Sequence, residues 1–155
     1  MIETVTMEKS IFASGPQKFE AGTPKIAEAI GFAAAAEYLS NFDMKAVHSH
    51  IRGLATYTSS ELQSIPGITV YGDHSVPEGS GVVSFLHDTI HAEDLARFMD
   101  AGGIAMRTGH HCAQPLLNAY GVTSTNRVSY YLYNTKQEAV AFVEHLRYIV
   151  NKFGG

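Results

Sequence analysis

The residues best suited to chemistry sit together in Arg107-Thr108-Gly109-His110-His111-Cys112-Ala113-Gln114-Pro115-Leu116-Leu117, a run that holds the chain's single cysteine. The chemistry it suits is nucleophilic. A thiolate attacks where a thiol does not, and a guanidinium, two imidazoles and the free N–H groups of a helix start all favour the anion. Free cysteine is usually inert packing in a core. Here Arg107, His110 and His111 are poor company for an apolar interior, and Gly109 permits backbone conformations that other residues resist. Cys112 is therefore read as an exposed, reactive thiol.

Such a thiol needs a frame. Gly103-Ile104-Ala105-Met106 reads as a short buried strand that delivers the loop, and Pro115 fits the first turn of a short helix closed by Gly121. Upstream, Thr23-Pro24 fits an N-cap and first-turn proline opening a helix from about Lys25 to Ser40. That segment is apolar almost all round and is expected to be buried on more than one side. A second helix runs from Asp43 to about Gln63, its stripe marked by Met44, Val47, Ile51, Leu54, Ala55 and Leu62. Ile68–Tyr71 and Val82–Leu86 read as strands around a turn-rich loop from Gly72 to Gly81, and Ala92–Ala101 as a helix. A last strand, Val128–Leu132, has Arg127 at its mouth, and Thr135 caps a final helix reaching about Lys152. Residues 1–18 show no sustained period and read as an irregular arm. Two helices followed by strands alternating with helices imply an α+β fold, with helices packed on one face of a sheet.

Composition narrows the function classes. With 45% hydrophobic and 17% charged residues the chain is globular. A formal charge of −4, without a basic face, argues against nucleic-acid binding. The longest apolar stretch, Ile26 to Leu39, is too short for a membrane span and carries Glu28 and Glu37. One cysteine cannot form an intramolecular disulfide, which suits a reducing, cytoplasmic setting. His48 and His50, two apart on a helix, cannot face one metal, and His87 and His91 are not expected to share a regular turn, so no metal site is expected.

The run RTGHHCAQPLL resembles the active-cysteine loop of the SufS-type cysteine desulfurases, in the class V aminotransferase superfamily that also includes selenocysteine lyases. Phe19-Glu20-Ala21-Gly22-Thr23-Pro24 resembles the same family's FEAGTP block, and Asn126-Arg127 through Tyr133-Asn134-Thr135 its third block, in family order. The resemblance implies the small C-terminal domain of the fold-type I pyridoxal 5'-phosphate enzymes, a mostly antiparallel sheet preceded by interdomain helices. It implies that residues 1–24 are an arm from an absent large domain and 25–155 the small domain.

It also implies a chemistry: Cys112 takes sulfur from L-cysteine as a persulfide, and alanine leaves. Arg127 would grip the substrate carboxylate, Arg107 and His110 would position the thiol and substrate, and Thr23 would contact the cofactor phosphate of a partner subunit. The family holds pyridoxal 5'-phosphate on a lysine in a Ser/Gly-x-His-Lys context. None of Lys9, Lys18, Lys25, Lys45, Lys136 or Lys152 has that context. The implied partners are a large domain or chain bearing that lysine, a second copy in a homodimer, and a small sulfur-acceptor protein serving iron–sulfur cluster or thio-cofactor assembly. The alternatives are a sulfur-relay or interaction module that works without the cofactor, and an inactive truncated fragment.

Overall fold

The computed structural model describes residues 1–76 and 79–154. Part of the Gly72–Gly81 loop, at Pro77 and Glu78, therefore lies outside the described residues. The chain divides into two compact units, Met1–Phe42 and Asp43–Gly155.

In the first unit, β1 (Ile2–Val5) and β2 (Ser10–Phe12) pair as an antiparallel hairpin where the sequence reading has an irregular arm. The hairpin is set by its turn. Thr6 donates its N–H to the Lys9 carbonyl at 2.8 Å, and its hydroxyl accepts the N–H groups of Glu8 and Lys9. Such side-chain turns carry no hydrophobic period and escape pattern reading. A single 3-10 turn, Pro16–Lys18, follows, and then α1 (Ile26–Ser40).

The cap of α1 also differs from expectation. Lys25, not Thr23, is the N-cap, and it makes no side-chain hydrogen bond. At φ −77° and ψ 74° Lys25 is the centre of an inverse γ-turn, with the Ile26 N–H donating to the Pro24 carbonyl at 2.9 Å. That turn moves the cap two residues along, from Thr23 to Lys25. No residue of α1 is buried, against the expectation of burial on several sides. The first compact unit, Met1–Phe42, takes in both the hairpin and α1.

The second unit holds α2 (Met44–Gln63), β3 (Ile68–Tyr71), β4 (Val82–His87), α3 (Ala92–Ala101), β5 (Arg107–Gly109), α4 (Gln114–Ala119), β6 (Thr125–Ser129) and α5 (Lys136–Phe153). Asp43 caps α2 by accepting the Lys45 N–H at 2.9 Å. Thr135 caps α5 in a reciprocal box with Glu138. The four strands form one antiparallel sheet in the order β3-β4-β6-β5.

One face of this sheet meets α2, α3 and α5. Val83 and Phe85 are fully buried there with Leu62, Leu95, Met99 and Leu146. Phe85 and Phe142 meet edge to face, 6.1 Å between centroids. The hydroxyls of Thr58 and Tyr130 satisfy each other in the core at 2.7 Å. Burial holds the Tyr130 phenol above its ordinary value of 10.0, with the Thr58 hydrogen bond pulling the other way.

Two strands are shifted from their expected places. Residues 104–106 are not a strand; pairing begins at Arg107, where β6 can reach it. The Ile104 N–H turns back to the Met99 carbonyl, and Ile104 and Met106 pack partly buried against the core without a ladder. β6 starts at Thr125 rather than Val128, and pairing on both sides overrides the polar character of Thr125 and Asn126.

Candidate functional site

Residues directly opposite each other in an antiparallel ladder share a face. Tyr71 opposes Ser84, Ser84 opposes Arg127, and Arg127 opposes Arg107. The row Tyr71-Ser84-Arg127-Arg107 thus crosses all four strands on the face away from Phe85. On that face lies a pocket of about 430 Å³ whose lining includes Ser84, Arg127, His110, His111 and Leu116. Tyr71 and Tyr120 close one wall, their rings 5.2 Å apart.

The electrostatics of this pocket are lopsided. Among the described residues neither Arg107 nor Arg127 has a carboxylate partner, whereas Arg97 and Arg147 each have one. The Arg127 Nε is buried and makes no hydrogen bond. Like charges directly opposite across a ladder repel, so an anion between or beside these two guanidinium groups would relieve the site. Asp73 stands on the pocket lining, where the Ser75 hydroxyl and then the Ser75 N–H hold its carboxyl below the ordinary 3.8. Among the described residues, the pocket lining thus holds one guanidinium, Arg127, and one carboxylate, Asp73.

The thiol loop borders the same pocket. Gly109 has φ +117°, and His111 and Cys112 follow in the left-handed region at +52° and +56°. Two consecutive side-chain-bearing residues rarely adopt that conformation, and it persists only where the surroundings fix it. Three hydrogen bonds do so. The Cys112 N–H donates to His110 Nδ1 at 3.1 Å, the Ala113 N–H to the His110 carbonyl at 2.8 Å, and His111 Nε2 to the Thr125 carbonyl at 2.9 Å. Cys112 is exposed, directly before Ala113, the N-cap of α4, and Pro115 lies in the first turn of that helix as expected. Its neighbours His111 and Ala113 line the pocket.

Most of the site residues expected from sequence thus meet on one face. Arg127 and His110 line the pocket, Arg107 lies beside Arg127 in the row, and Cys112 stands at the margin. Arg127 sits inside β6 rather than at its mouth. Thr23 belongs to the first unit, two residues ahead of the α1 cap. No group of three or more His, Cys, Asp or Glu suited to a metal occurs among the described residues. His87 Nδ1 accepts the Ile90 N–H and His91 Nδ1 the Glu93 N–H, so each shapes the turn into α3.

The pocket residues suit a carboxylate or phosphate, but they do not suit the covalent anchor of pyridoxal 5'-phosphate. No lysine lines the pocket. Lys136 lies over the Tyr57 ring and Lys152 beside the Tyr148 hydroxyl. Sequence reading missed Tyr71, Asp73, Ser84 and Tyr120. A signal existed for Ser84, a polar residue between the inward Val83 and Phe85 in a strand of period two; Asp73 lies in a loop with no such pattern.

Comparison with known proteins bears on the family and the fold. Residues 1–142 match the aminotransferase class-V family. A probable cysteine desulfurase of Streptomyces coelicolor is 41% identical over 154 residues, covering 99% of this chain and 37% of that protein. The crystal structure of the cysteine desulfurase CsdA of Escherichia coli superposes with a TM-score of 0.83 at 34% identity, over 98% of this chain and 37% of that one. The apo cysteine desulfurase of Thermococcus onnurineus gives a TM-score of 0.84 at 32% identity, over 98% of this chain and 38% of that one. The chain thus spans a little over a third of the length of the relatives it matches. With the family's sequence pattern over nearly its whole length and an α+β fold shared with solved cysteine desulfurases, the chain belongs to the aminotransferase class-V family.

Proposed function

We propose that this chain is the C-terminal lobe of a cysteine desulfurase and that Cys112 is its sulfur acceptor. The observation that carries the reading is an exposed thiol on a loop beside a pocket whose one lining guanidinium, Arg127, has no carboxylate partner among the described residues. In the overall reaction the C–S bond of L-cysteine breaks and an S–S bond forms on Cys112. The carbon keeps the bonding pair and takes a proton, so alanine leaves.

Each residue of this chain has a part that its chemistry supports. The Arg127 fork matches a carboxylate with two hydrogen bonds, and Arg107 adds charge on the same face. His110 shapes the loop by accepting the Cys112 N–H. Pyridoxal 5'-phosphate would supply the electron sink when bound, and the lysine that anchors it would come from a separate lobe or chain, because none of this chain's lysines has the family's context. Thr23, ahead of α1, would face the cofactor phosphate of a partner subunit in a homodimer. A small acceptor protein would carry the persulfide sulfur to iron–sulfur cluster or thio-cofactor assembly, in the cytoplasm; selenocysteine is the alternative substrate. No helix among the described residues is long and apolar enough to cross a membrane.

The test separates lobe from relay. The chain alone should release no sulfide from L-cysteine and show no internal-aldimine absorbance. Adding a lysine-bearing large lobe should give sulfide release that Cys112→Ser abolishes. Turnover by the isolated chain, or by the Cys112→Ser lobe pair, would overturn the reading. The exposure of Cys112 also favours a second reading, a sulfur relay that needs no cofactor. Mass spectrometry after incubation with a persulfide donor would then find one added sulfur on the isolated chain and none on Cys112→Ser.

A further inference from the structure

We infer that His111 is a positioning residue: its imidazole tethers the thiol loop to the strand carrying Arg127 and so sets the distance between sulfur and guanidinium. The inference rests on the reading of Cys112 as the reactive group. Pairing between β5 and β6 ends at Gly109 opposite Thr125. Beyond that point, two of the loop's hydrogen bonds are internal, from the Cys112 and Ala113 N–H groups to His110. They shape the turn without fixing it to the sheet. The bond from His111 Nε2 to the Thr125 carbonyl, 2.9 Å long, does fix it.

Its anchor is rigid, because Thr125 is 1% exposed and lies two residues before Arg127 in β6. The tether also explains the backbone. His111 at φ +52° and Cys112 at +56° are both in a conformation that side-chain-bearing residues leave unless something holds them. Nε2 carries its proton in the neutral tautomer that donates here and in the imidazolium alike, so the hold does not depend on the charge of His111.

Because Cys112 is the only thiol, its alkylation rate reads its surroundings without ambiguity. The experiment compares a neutral reagent, iodoacetamide, with an anionic one, 5,5'-dithiobis(2-nitrobenzoate), on the whole chain. A thiol held near Arg127 prefers the anionic reagent. His111→Ala is expected to lower the anionic-to-neutral rate ratio about fivefold at low salt, with circular dichroism unchanged. His111→Gly, which accepts positive φ but cannot tether, should do the same even if the alanine variant folds poorly. His111→Gln, whose amide nitrogen reaches the place of Nε2 and keeps an N–H donor, should stay within about twofold of the parent.

An unchanged ratio in His111→Gly, or an equal fall in His111→Gln, overturns the inference. Arg127→Ala separates this from the broader reading. If it lowers the ratio while His111→Gly does not, only the tether is wrong; if neither does, the thiol does not sense the guanidinium and the proposed site fails with it.

Discussion

Helices α1 and α5 are both rich in apolar residues, yet α5 buries Ala139, Phe142, Val143, Leu146, Ile149 and Val150 while α1 buries none. In α5 the apolar residues recur on one stripe, with charged residues opposite, so one face meets the sheet. In α1 they are spread around the whole cylinder, leaving Ile26, Ile30, Phe32 and Tyr38 more than 60% exposed. Periodicity, more than apolar content, decides which helix enters the core of its own unit. A helix without a polar side is suited to contact on several sides at once, as the proposed large lobe and second copy would supply.

The largest effect should come from the buried stripe. Leu146→Ala in α5 should cost about 2–5 kcal/mol in denaturant melts, and Phe32→Ala in α1 no more than about 0.5 kcal/mol. Equal losses would break the contrast. Gly81→Ala should come next, since an added Cβ would lie 2.1 Å from Ile51 Cγ2 and 2.6 Å from the Tyr130 carbonyl oxygen. Backbone cannot yield there, and a loss of about 1–3 kcal/mol is expected by thermal melting.

The exposed face of α1 gives the third prediction. Apolar patches left open promote association. Sedimentation velocity should find oligomers of this chain at high concentration, and Ile30→Glu with Phe32→Glu should return it to monomer without lowering its melting midpoint. A parent chain that stays monomeric would break that half of the contrast.

The smallest effect concerns how α5 is started. Thr135→Ala should cost about 1 kcal/mol. The Thr135 N–H, with help from the Asn134 amide, holds the Glu138 carboxyl below its ordinary 4.5. A group whose folded value is depressed stabilises the fold above its unfolded value and ceases to do so as pH falls through the folded one. The difference between the parent and Glu138→Gln should therefore be present at neutral pH and vanish in melts taken well below pH 4.5.

Much of the second unit could be read from sequence because its signals are local. The stripe of α5, the Thr135 cap and the bounds of α3 all depend on spacing within one segment. β5 and β6 could not be bounded that way, since Arg107 and Thr125 become strand residues only by pairing with each other's neighbours. The N-terminal hairpin was hidden for a related reason, its turn being fixed by the Thr6 hydroxyl. At the site, residue type singled out Cys112 with its neighbours Arg107 and His110, and only the family resemblance singled out Arg127. What sequence withheld was that β6 carries Arg127 outward between the inward Asn126 and Val128.

That alternation makes the sheet its own proofreader. If β6 slipped by one residue against β4, a guanidinium would be driven in against Phe85 and a valine turned out toward the two histidines. The misaligned chain would lose its interior and the outward row of Arg127 and Arg107 in the same step, so molecules that fold at all should fold with that row in register.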